Sequence, residues 1–199
     1  MMIKKLFNPF IYLAGSLALG IGVLIILITS FIGYSSHTHF PDVLSVKSSL
    51  DLPVLYYIIQ NMMNWIIVST ILYGFAVVFS KSRVRLTDIY GTQAVSRFPY
   101  LLAALTGFSD SLEKFGRFLL WQLLGQGSHV NISSLDIAIA ITLILTTLVL
   151  SLWMITLMFN AYKVSANIKG AKLIVSFIIS LIISILISAL FTNQLIQYF

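Results

Sequence analysis

Four charged residues interrupt an otherwise apolar stretch: Asp110, Glu113, Lys114 and Arg117. Asp110 and Lys114 are four apart, as are Glu113 and Arg117, with the acid N-terminal each time. On a helix, that is the favourable orientation for a self-neutralising pair. Ionisable groups in such a stretch face protein, water or headgroups rather than lipid tails. A self-paired helix near the membrane surface is therefore expected, with an intramembrane charged centre as the sharper alternative. His37-Thr-His39 with Asp42 offers two imidazoles and a carboxylate. Two-residue spacing in a Ser-rich loop is a weak zinc pattern, even if His129 from a second loop joined it. Ordinary loop histidines are expected. No serine has a plausible intramembrane His or Asp partner, no HExxH occurs, and no glycine-rich phosphate loop precedes a helix. Cysteine is absent, which excludes disulfides, thiolate metal sites and thiol nucleophiles. The sequence points to no catalytic residue, metal or cofactor, and an enzyme is the least supported class.

Small and hydroxyl residues recur every four positions. Ser176, Ser180, Ser184 and Ser188 line one face near the C-terminus, Ala14, Ala18 and Gly22 line another, and Ser134, Ala138, Thr142 and Thr146 a third. Such rows let helix backbones approach closely in lipid. Helix packing is the expected role and a hydroxyl-lined solute path the alternative. Gln60, Asn61 and Asn64 form an amide cluster expected to bond a neighbouring helix or meet the headgroups.

The elements that carry these residues follow from composition. The chain is 59% hydrophobic and only 9% charged, with a mean hydropathy of +1.00. A soluble domain has roughly a quarter charged residues, so lipid must be the solvent here. The net charge of +6 reads as the positive-inside bias rather than nucleic-acid binding. Segments at about 11–32, 54–79, 137–159 and 173–191 each supply the roughly 20 apolar residues a span needs. The first, preceded by Lys4 and Lys5, is too long for a signal-peptide core and is expected to be retained.

The stretch 98–124 is harder, because neither apolar half crosses the bilayer as a straight helix. One net crossing there would put Lys4, Lys5, Lys81, Arg83, Arg85, Arg97, Lys163, Lys169 and Lys172 all inside, leaving Lys47 outside with Asp42 and Asp51. A segment that dipped and returned would move three lysines out. The expectation is an all-α, polytopic transmembrane bundle forming one domain, with five spans and an irregular third crossing. Its N-terminus is cytoplasmic and its C-terminus outside.

The loop 81–97 is the most distinctive polar segment. Its basic residues suit an anionic inner leaflet. Arg83, Arg85, Asp88, Tyr90, Gly91 and Arg97 are the candidate partner-contact residues. Here the sequence resembles the Yip domain family, the Ypt-interacting membrane proteins, in its prokaryotic branch. Asp88-Ile-Tyr90-Gly91 is similar to the family's Asp-Leu-Tyr-Gly element, and Arg97-Phe-Pro99-Tyr-Leu-Leu to its entry into the third span. The stretches from Trp153 to Met158 and from Lys163 to Gly170 resemble its fourth span and following loop. Thr92 stands where the eukaryotic element has proline, which weakens any transfer of a GTPase contact. The resemblance implies five spans, a cytosolic N-terminus and an outside C-terminus. It also implies a non-enzymatic scaffold or organiser in the bacterial inner membrane. The expected partners are the lipid bilayer, other membrane proteins or a second copy of the chain, and no nucleic acid. The alternative is a small-solute transporter or channel using the serine face and the charged middle segment.

Overall fold

A computed structural model describes residues 6–48, 51–127 and 131–199. Lys4, Lys5 and His129 lie outside the described residues. Among those described, the chain is all-helical, with one isolated bridge between His39 and Lys47 and no β-strand. A 3-10 turn, Pro9–Ile11, leads into α1 (Gly15–Ser35), followed by α2 (Val54–Phe79). Then come α3 (Leu86–Val95), α4 (Phe98–Ala104), a 3-10 turn Leu105–Phe108, and α5 (Ser111–Leu124). The two last helices are α6 (Ser134–Ala166) and α7 (Ala171–Leu195). Four of these, α1, α2, α6 and α7 with its continuation to Tyr198, are long and apolar enough to cross a membrane. Helices are what such sequences must form, because lipid offers no partner for a free backbone N–H or C=O.

Between α2 and α5 the chain does not fold as the hydropathy suggests. The helical stretch begins at Leu86, within the expected inner loop, and the whole of 86–108 runs beside α1 in the same direction. Gly15 lies against Asp88, Gly22 against Ala94 and Val95, and Gly107 against Ser36 and Thr38. These 23 residues cover the depth that α1 covers, roughly 30 Å at 1.5 Å per residue. The path breaks at Ser96 and Arg97, where Arg97 has φ −80° and ψ 0°. Pro99 explains the break. It has no N–H to give the Val95 carbonyl, and its ring would collide with that carbonyl in a continuous helix. The expected irregular crossing, 98–124, thus divides into α4 and its 3-10 turn, which lie against α1, and α5, which leaves the bundle along α6.

The remaining order places α7 on α2, while α6 packs on α3, α4 and α5. Ser176, Ser180, Ser184 and Ser188 are all buried. Ser176 donates to the Leu173 carbonyl at 3.2 Å, and Ser180 and Ser184 donate to the carbonyls of Ser176 and Ser180, each at 2.6 Å, whereas the Ser188 hydroxyl is buried without a partner. By contrast Ala138, Thr142 and Thr146 on α6 are exposed, and both threonines bond back to their own helix. Charge is divided by end. Lys81, Arg83, Arg85, Lys163, Lys169 and Lys172 share one end with Asp88. The other end holds Lys47, Lys114 and Arg117 with Asp51, Asp110, Glu113 and Asp136.

Candidate functional site

Polar residues converge where the break in 86–108 meets α1, α2 and the loop after α1. That loop folds inward. Reciprocal backbone bonds between His39 and Lys47, 2.8 and 3.0 Å, close it, and Phe40 and Val43 are fully buried. The Phe40 ring stacks on Tyr100 of α4 at 4.7 Å. The amide cluster of α2 holds the loop backbone. Phe40 N–H donates to Gln60 Oε1 at 3.1 Å. Asn64 Nδ2 donates to the carbonyls of Phe40 and Asp42, at 2.7 and 3.1 Å. Asn61 Nδ2 donates to Ser30 Oγ of α1 at 3.0 Å. The amides therefore bond a neighbouring helix, as one expectation had it, and also a loop that nothing in the hydropathy places inside.

The six candidate partner-contact residues separate. Arg83 and Arg85 are exposed at the basic end, beside the cleft of Lys81, Lys169 and Lys172, where anionic headgroups would be attracted. Gly91 and Arg97 are buried and do not form part of the surface. The Asp88-Ile-Tyr-Gly91 element fastens helices together instead. Tyr90 Oη lies 2.6 Å from Thr70 Oγ1, and its carbonyl accepts from Trp65 Nε1 at 2.9 Å, both on α2. The Asp88 carbonyl accepts from Ser165 Oγ of α6 at 3.3 Å, and Gln93 Nε2 donates to the Met158 carbonyl at 3.0 Å.

The charged four lie at the other end and none is buried. Glu113 and Arg117 pair at 3.2 Å as their spacing implies. Lys114 instead meets Asp136 of α6 at 3.6 Å, leaving Asp110 exposed. Asp136 is available because it caps α6 with Ser133 and accepts from Ser111, tying α5 to the first turn of α6.

The loop histidines part company. His37 faces Asp51 at 3.9 Å, whereas His39 is buried with its Nδ1 unpartnered. Among the described residues no three His, Asp or Glu side chains are placed to hold a metal ion. Burial, reinforced by Lys47, pushes the His39 imidazole down to about 4. The folded protein keeps it neutral while the unfolded chain protonates it near 6.5, so stability is whole above about pH 6.5. It falls as pH drops from there towards 4, by up to about 3 kcal/mol. Unfolding titrations between pH 4 and 7 should show that slope, and His39→Gln should flatten it. An unchanged slope in the variant would assign it elsewhere.

No family model matches this sequence, and neither the curated proteins nor the solved structures include one significantly similar to it.

Burial of Arg97 is the feature sequence reasoning missed. The sequence places it among the inner-loop charges, yet it sits level with Ile26 and Thr29, near the middle of α1. The available signal was Pro99, which marks a helix start two residues on and places Arg97 at a break rather than in a loop.

Proposed function

We propose that this protein crosses the bacterial cytoplasmic membrane five times, with 86–108 as a broken third crossing, the basic end in the cytoplasm and the C-terminus outside. Its proposed role is that of a non-enzymatic scaffold, which shapes the bilayer or organises other membrane proteins, as the Yip-family resemblance implies. The six basic residues gathered at one end support the orientation. With no native cysteine, single cysteines test it. Ser82→Cys should label only from the cytoplasmic side and Ser109→Cys only from outside, and labelling of both from one side would remove the third crossing.

One observation carries the scaffold role. Helix α5 is amphipathic, with Leu112, Phe115, Leu119 and Leu123 on one side and Glu113, Lys114 and Arg117 on the other. It is anchored at its start to α6, and Leu119, Leu120, Leu123 and Leu124 are left exposed. A helix of this kind lies in the headgroup region with its apolar side among the upper acyl chains. Held there by the bundle, it widens the outer leaflet alone. The resemblance rests on short motifs, whose residues here fasten helices rather than meet solvent. The exposed placement of the charged four, and the packing of the serine row on α2, favour a scaffold over a conduit. Reconstitution at high protein density should shrink or tubulate vesicles. Leu120→Ser with Leu123→Ser should insert normally and lose the effect. Vesicles of unchanged size with the native chain would end the proposal.

A further inference from the structure

Three lysines without an acid to pair them line one cleft at the basic end. Lys81 stands just after α2, Lys169 in the turn between α6 and α7, and Lys172 in the first turn of α7. All three are exposed. With Phe79, Asn167 and Ile168 they line a cleft of about 470 Å³, within the roughly 300–1,000 Å³ usual for small-ligand sites. None of the three enters an ion pair among the described residues. The acid at this end, Asp88, lies against Gly15 of α1 instead. The turn that carries two of the lysines is built into the fold. Asn167 ends α6 in the left-handed region, at φ 51° and ψ 37°, and Gly170 opens α7 at φ 70°. Between them Ile168 turns inward and joins the main core, which leaves the adjoining Lys169 outside. Backbone held in this way limits how far the like charges can withdraw from one another, and an anion in the cleft would relieve their repulsion.

Apolar surface runs from this cleft towards the middle of the bundle. Phe79 forms part of its wall and stacks on Phe75, one turn deeper in α2, with ring centroids 6.0 Å apart. On α7, Val175 and Ile179 share the face of Lys172 by helical spacing, and both are exposed. The two helices pack on each other, so the charged cleft sits above a pair of neighbouring apolar strips. A free anion would use the lysines and leave the strips idle, whereas a phospholipid uses both. Basic pockets between helices at the cytoplasmic side suit such headgroups. We propose that this cleft holds the phosphate headgroup of one anionic phospholipid, with Lys81, Lys169 and Lys172 around the phosphate. Its acyl chains lie along Phe79 and Phe75 on one side and Val175 and Ile179 on the other. The site is independent of the scaffold proposal, which concerns α5 at the opposite end of the bundle.

Lipid retention by the full chain tests it, read by native mass spectrometry from phosphatidylcholine micelles that contain dilute phosphatidylglycerol or cardiolipin. The native chain should keep one anionic lipid, and cardiolipin more tightly, because its two phosphates better match three lysines. Lys169→Gln with Lys172→Gln should weaken retention by about tenfold. Lys163→Gln with Arg85→Gln removes as many charges from the same end without altering the cleft lining, and should leave retention unchanged. Phe79→Ser should weaken it several-fold through the lost acyl contact alone. Inorganic phosphate and glycerol 1-phosphate, added as competitors, should fail to displace the lipid. Thermal unfolding in nanodiscs gives a second reading. Phosphatidylglycerol added to phosphatidylcholine should raise Tm by several degrees, saturably, as a ligand of the folded state does, and should not do so for the Lys169 and Lys172 double variant. Equal weakening by the two double variants would mean diffuse attraction to a basic surface, and displacement by inorganic phosphate would mean a small-anion site. Either result, or a native chain that keeps no anionic lipid, would overturn the proposal.

Discussion

Gly91→Val should cost about 3 kcal/mol of stability, while Gly74→Val, a control of identical chemistry in α2, should cost well under half as much. A Cβ at Gly91 would stand 2.7 Å from the Leu19 nitrogen and 2.8 Å from the Gly15 oxygen. Both are backbone atoms of α1, so no rotamer change relieves the overlap, and the two helices must move apart. Overpacking of this kind typically costs 1–3 kcal/mol, occasionally more. It matters more in lipid, where close packing rather than water exclusion drives helix association. Gly22 makes the matching approach one turn deeper, where a Cβ would come within 2.7 Å of the Val95 nitrogen. Moving α3 away also disturbs the Trp65 bond to the Tyr90 carbonyl and the contact of Tyr90 with Thr70. Nothing lies within 4 Å of a Cβ built at Gly74, so valine there meets open space. Unfolding by denaturing detergent in mixed micelles supplies the comparison. Equal losses at the two sites would show that α1 and 86–108 are not in backbone contact.

The contrast between what was legible and what was not has one physical cause. Hydropathy reports which residues suit lipid, and α1, α2, α6 and α7 each expose large apolar side chains along much of their length. Their apolar runs were therefore readable, and the four-residue spacing of the α7 serines matches a face that is buried. The stretch 86–108 is surrounded by other helices instead. Thr92, Gln93, Ser96, Arg97 and Thr106 are buried in it, and their neighbours satisfy most of them. Its polar composition thus looks like a loop followed by an irregular crossing. The same reasoning covers the chain after α1. A Ser-rich segment ending at a proline resembles a surface loop, and nothing local reveals that Phe40 stacks on a tyrosine sixty residues later. The amides of α2 were the one clue, since Gln60 and Asn64 needed partners, but the sequence could not say that a loop backbone would supply them. The exposed Ala138, Thr142 and Thr146 make the opposite point. The spacing that marks packing on α7 meets no partner within this chain on α6.

Asn64→Leu tests that inward loop with nearly constant side-chain volume. The asparagine amide donates to two carbonyls, those of Phe40 and Asp42, and it is 1% exposed. Leucine removes both bonds and leaves two acceptors facing an apolar group. Each unsatisfied buried acceptor costs about 1–3 kcal/mol, so a loss of about 2–4 kcal/mol is expected. The loop can recover part of this by swinging outward to water, which would pull Phe40 off Tyr100 and open the polar core around Arg97. The loss should therefore come with a structural readout. A cysteine at Phe40 should react slowly with a membrane-impermeant thiol reagent in the native background and quickly with Asn64→Leu present. Gln60→Leu should produce a smaller effect of the same kind, since Gln60 takes one N–H of the loop rather than giving to two carbonyls. A stable Asn64→Leu protein with an unreactive Phe40→Cys would mean that the His39–Lys47 backbone bonds and the loop's apolar burial hold it in place without Asn64. The amides would then serve only the packing of α2 against α1.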